Sequence, residues 1–94
     1  MFRTRRWFER GRGRIESDEG FSIFISRDAI AYWEGRQKMM VTADLGAGQA
    51  VLFSTSIGRW EGDLNHPVDD ATRLRIENNI KRALEWSGWK VSCQ

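Results

Sequence analysis

A period-two alternation of apolar and small polar residues, running with short breaks from Arg14 to Ile57, limits this chain more than any other feature. Phe21, Ile23 and Ile25 alternate with Ser22 and Ser26. Successive side chains of a strand point to opposite faces, so this spacing belongs to a half-buried strand. The pattern recurs. Residues 14–17, RIES, read as a short strand before a DEG turn. In AIAYWEG, Ile30 and Tyr32 share one face, and Ala29, Ala31 and Trp33 the other. Met39, Val41, Ala43 and Leu45 then alternate with Lys38, Met40, Thr42 and Asp44. In AVLFSTSI, Val51, Phe53, Thr55 and Ile57 are assigned to one face, with Leu52, Ser54 and Ser56 on the other. The connections SRD, EGR and GAGQ are turn chemistry, and links this short join antiparallel neighbours.

Beyond Pro67 the period changes. Ile76, Ile80, Ala83, Leu84 and Ser87 form one stripe of an amphipathic helix over residues 69–87, with Leu74 close to it. Arg73, Arg75, Lys81, Arg82, Glu77 and Glu85 take the wet side. Asp69 or Asp70 caps the start, and Gly88 is a natural stop. WKVSC reads as a short last strand. The expected fold is therefore α+β: an antiparallel four- to five-stranded meander packed against one C-terminal helix. Residues 14–94 form a single domain, as suits a chain of 94 residues with 40% hydrophobic content. Residues 1–13, MFRTRRWFERGRG, are read as a flexible arginine-rich arm, because Gly11 and Gly13 interrupt any helix and the charges repel.

Charge divides at the same boundary. Residues 1–14 hold six arginines and one glutamate, a net +5; the remaining nine basic and twelve acidic residues give −3. The overall +2 therefore does not mark the whole chain as a nucleic-acid binder. The arm does carry that reading. Arg3, Arg5, Arg6, Arg10, Arg12 and Arg14 around Trp7 suit phosphate neutralisation with base stacking. No apolar run is long enough to span a membrane, and no apolar h-region follows the N-terminal charges. The single cysteine, Cys93, allows no internal disulfide. These features imply a soluble, cytoplasmic protein.

The candidates for chemistry are few. His66 stands alone in a polar loop and Cys93 sits beside the C-terminus, so no nucleophile–base pair and no zinc ligand set is expected. GAGQ lacks the lysine and length of a phosphate loop. The expectation is a non-enzymatic chain without cofactor or metal. One helix covers one face of a sheet, which leaves the other face open. There Phe24, Met40 and Leu52 stand among serines and threonines, with Trp33 nearby. Such a surface is expected to be a protein-binding face or a homodimer interface.

From Ala29 onward a resemblance adds to this. Tyr32-Trp33-Glu34-Gly35-Arg36, Ile57-Gly58-Arg59-Trp60-Glu61, Arg75-Ile76, Ala83-Leu84 and Gly88-Trp89-Lys90-Val91 follow a pattern of small bacterial proteins: Y-x-E-G-R, W-D/E, R-I, A-L, G-x-x-V. These are grouped among the immunity proteins of polymorphic-toxin systems. The resemblance implies a module that blocks a protein partner, such as a toxin, by occluding its surface. The alternative implied by the arm and the open face is a small nucleic-acid-binding protein.

Overall fold

The computed structural model describes residues 2–4, 13–63 and 66–94. The fold is α+β. Strands β1 (Phe2–Thr4), β2 (Gly13–Ser17), β3 (Phe21–Ile25), β4 (Ala29–Glu34), β5 (Gln37–Gly46) and β6 (Gln49–Leu52) precede helix α1 (Asp70–Trp86), and β7 (Lys90–Cys93) follows it. The seven strands pair in chain order. Every pair is antiparallel except β6–β7, which runs parallel because α1 crosses over between them.

Alternation fixes what each face carries. Ile15, Ile23, Ile25, Ile30, Tyr32, Met39, Val41, Ala43, Ala50 and Leu52 point to one side and are buried there. Helix α1 lies on that side and closes the core with Ile76, Ile80, Ala83 and Leu84. These four belong to the expected stripe, whereas Leu74 and Trp86 are exposed. Asp69 is the N-cap, its side chain accepting from the Thr72 amide at 2.8 Å. This contact holds the Asp69 carboxyl below its ordinary value.

Three differences from the sequence reading have physical causes. First, the arm does not begin the chain as a free tail: Phe2–Thr4 pair with β2 in register Phe2 to Ser17. The Phe2 ring meets Phe21 edge-on at 5.9 Å and Trp86 at 6.0 Å, so an aromatic anchor adds a strand to the sheet. Gly13 likewise opens β2. Residues 5–12 of the expected arm lie outside the described residues.

Second, β6 is turned over. Gly46 pairs with Gln49, so only Ala47 and Gly48 make the turn, with φ of 54° and 79°. Two positive φ values are what a type I′ hairpin requires. That short turn sets Leu52 opposite Ala43 and Val51 opposite Asp44. Leu52 therefore faces the core and Val51 faces out, the reverse of the expected phase. A one-residue shift in a turn moves every later side chain to the other face.

Third, the strand ends at Leu52, and a 3-10 turn (Ser54–Ser56) follows. This segment closes the edge of β5 that β6 leaves unpaired. Phe53 N–H donates to Thr42 O at 3.1 Å, and Glu61 N–H donates to Lys38 O at 2.7 Å. Ser56 Oγ accepts from the Thr42 amide at 2.9 Å.

Ala47 is the one non-glycine with positive φ among the described residues. Left-handed backbone costs most residues about 1–2 kcal/mol, and asparagine adopts it more readily. Ala47→Asn is expected to raise stability by up to about 1 kcal/mol, read from urea denaturation. A loss of stability would mean that the turn is not of this type in solution.

Candidate interaction face

The face opposite α1 is built from two rows of side chains that run across the strands. Register places Arg14, Phe24, Ala31 and Met40 in one row and Glu16, Ser22, Trp33 and Lys38 in the next. Phe24 is 38% exposed and Met40 43%, with Ala31 buried between them at 7%. The small methyl of Ala31 thus forms the floor of a shallow apolar strip with a large side chain on either side.

Beside the strip, the Trp33 ring holds two cations. The Arg14 guanidinium lies 5.6 Å from its centroid and the Lys38 ammonium 4.9 Å. Lys38 is the direct cross-strand neighbour of Trp33, whereas Arg14 reaches it from β2, across β3. The electron-rich indole attracts both. The indole Nε1–H is buried and has no acceptor among the described residues.

Of the residues expected on this face, Phe24, Met40 and Trp33 stand on it. Leu52 does not: it has no exposed surface and belongs to the core. Of those assigned to the nucleic-acid arm, Arg14 lies within β2 and joins this face instead. The backbone of Arg3 lies in β1 opposite Glu16. Arg5, Arg6, Trp7, Arg10 and Arg12 lie outside the described residues. The sequence already places Arg14 in a strand over residues 14–17, but groups its charge with the arm.

The opposite side of β4 supports the helix. Tyr32 donates to Glu34 Oε2 at 2.7 Å and accepts from Asn79 Nδ2 at 3.0 Å. Glu34 receives both Nε and a terminal nitrogen of Arg75, at 3.3 and 2.7 Å. Burial, then the contact with Glu34, pushes the Tyr32 phenol well above its ordinary value. Trp60 packs beside Tyr32 with ring centroids 6.1 Å apart. Tyr32, Glu34, Trp60 and Arg75 therefore form one connected set of contacts that holds α1 to the sheet. The ion pair at this corner is Glu34 with Arg75. A second clamp joins Arg82 to Glu19 through two hydrogen bonds, at 3.1 and 2.8 Å.

Other places offer less chemistry. His66 contacts Asp63 at 2.7 Å in an exposed loop. Partial burial, followed by the charge of Glu77, pushes the Cys93 thiol up, which disfavours the reactive thiolate. No group of three or more His, Cys, Asp or Glu gathers among the described residues. No described helix is long and apolar enough to cross a membrane. A cleft of about 450 Å³ opens where the turns beside Arg27, Ala47 and Gly88 meet, lined by Ile25, Leu45 and Trp89. Its two hydroxyls are used locally: Ser26 donates to Ala29 O and Ser87 to Leu84 O.

Comparison of the chain with protein-family models, curated proteins and solved structures gives no match.

Two outcomes test this geometry. Leu52→Ala should cost about 2–5 kcal/mol, the range for a truncation that leaves a core cavity, while Met40→Ala should cost less than about 1 kcal/mol. Similar values in chemical denaturation would mean that the two faces are not distinct. The Glu19 carboxyl lies below its ordinary value of 4.5, first because Arg82 donates to it. A depressed folded-state pKa stabilises above the unfolded value and is lost as the pH falls through the folded one. Glu19→Gln should therefore lower the urea midpoint at neutral pH, and the difference should shrink below pH 4.5. A gap that persists in acid would show that the pair is not the source.

Proposed function

We propose that this chain is a non-enzymatic protein-binding module that occludes a partner's surface with the open face of its sheet. This is the mode of action of the toxin-immunity proteins that it resembles. The observation that carries the reading is the exposed Phe24–Ala31–Met40 strip beside Trp33. A helix on one side of the sheet leaves these residues facing outward, and Phe, Met, Trp and Arg are the residue types enriched at the centres of protein interfaces. Buried aromatic and apolar anchors carry most of the binding energy in such contacts. A sheet face is also a rigid platform, so little conformational freedom is lost on docking.

The same face, with Arg14 and Lys38 beside an aromatic ring, has the ingredients of a single-strand nucleic-acid surface. The two readings part experimentally. Wild type and the double variant Phe24→Ser, Met40→Thr are immobilised and exposed to an extract of the native host, with and without nuclease. The protein-binding reading expects a partner held by wild type, insensitive to nuclease and lost in the variant. The variant should keep its melting temperature within a few degrees, because both side chains are already partly exposed in the free protein. Nuclease-sensitive capture would favour nucleic acid. Size-exclusion chromatography of the same pair distinguishes a second copy of the chain from a different partner.

A further inference from the structure

We infer that the partner of this face is acidic, and that Arg14 and Lys38, held over the Trp33 ring, form the site for its carboxylates while Phe24 and Met40 take its apolar residues. The inference rests on the protein-binding reading and names the chemistry of the partner. Three observations converge. The helix arginines each have a carboxylate: Arg73 pairs with Asp70, Arg75 with Glu34 and Arg82 with Glu19. Arg14 and Lys38 have no carboxylate partner among the described residues. Both are half-buried, and their contacts among the described residues are with the face of Trp33. An indole ring fixes a cation in position but leaves its N–H donors free for an anion.

The Trp33 Nε1–H is buried and has no acceptor among the described residues, so it reports on the state of the ring rather than meeting the ligand. Glu16, the acidic member of this row, is not a free carboxylate, because it already has a partner. The two cations lie beside the apolar strip, over one ring and with no carboxylate paired to them among the described residues. A partner segment that alternates carboxylate and apolar side chains matches this layout. A phosphate backbone matches it less well, since single-strand grooves align several cations with several stacking rings. Here two cations share one indole.

The test follows the Trp33 indole N–H in the ¹⁵N-labelled full chain, its resonance identified by its loss in Trp33→Phe. Three probes are titrated: the capped peptide Glu-Phe-Glu-Phe-Glu, its counterpart with Gln at each Glu, and a twelve-residue oligothymidylate. The Glu peptide should shift the indole resonance as its carboxylates draw on the Arg14 and Lys38 cations over the ring. It should bind about tenfold more tightly than the Gln peptide, as expected for a hydrogen bond to a charged group. Arg14→Gln with Lys38→Gln should remove that preference, with the melting temperature measured in parallel to confirm the fold. Equal binding of the two peptides through Phe24 and Met40 would overturn the acidic preference and leave the protein-binding reading standing. Movement of the indole by the oligonucleotide alone would overturn both. No response to any probe at millimolar concentration would also overturn the carboxylate site, while the extract capture would still decide the broader reading.

Discussion

The structure depends on one-sided burial. A single helix, α1, lies on a seven-stranded sheet and seals Ile76, Ile80, Ala83 and Leu84 against the inward residues of its strands. One helix is narrower than seven strands, so aromatic rings cover the part of the core that it leaves open. Phe2 reaches Phe21 and Trp86, Phe21 stacks on Tyr32 at 5.8 Å, and Trp60 follows. Large rings suit a small domain because each buries much area at little conformational cost. Polar clamps then fix where the helix sits: Arg75 on Glu34, and Arg82 on Glu19. These exposed pairs add orientation more than stability.

The proposed function rests on the same asymmetry. The side of the sheet that α1 does not reach has no second layer among the described residues, so its side chains answer to solvent or to a partner. Tyr32 and Trp33 are adjacent in sequence, yet they serve opposite faces. Tyr32 belongs to the clamp beneath the helix, and Trp33 organises the two cations outside. Strand β4 thus couples a structural surface to the proposed recognition surface, and rigidity on one side would preorganise the other.

The motif residues divide along this line as well. Tyr32, Glu34, Trp60, Arg75, Ile76, Ala83 and Leu84 all lie on the helix side, in the clamp or the core. Their pattern speaks to how a chain keeps this fold. The proposed partner face is made mostly of other positions, Arg14, Phe24, Met40 and Lys38, with Trp33 alone drawn from the quoted run. A shared scaffold with a different outer face would keep the architecture and change the partner.

Several elements were legible in the sequence because they rest on local rules. Alternation alone reveals β3, β4 and β5 and the faces of their residues, since the strand period is two. The helix, its Asp69 cap and its buried stripe follow from the 3.6-residue period and from the polar groups left unpaired at a helix start. Other features were decided only by tertiary contacts. The side that Leu52 faces depends on whether the β5–β6 turn takes two residues or more, and GAGQ permits both. The pairing of β1 depends on the Phe2 ring finding Phe21 and Trp86, which are distant in sequence. That Arg14 belongs to the open face follows from its register with Phe24 across β2 and β3. Local sequence sets the period of each element, but which elements meet, and in what register, depends on contacts between residues far apart in the chain, which no local pattern encodes.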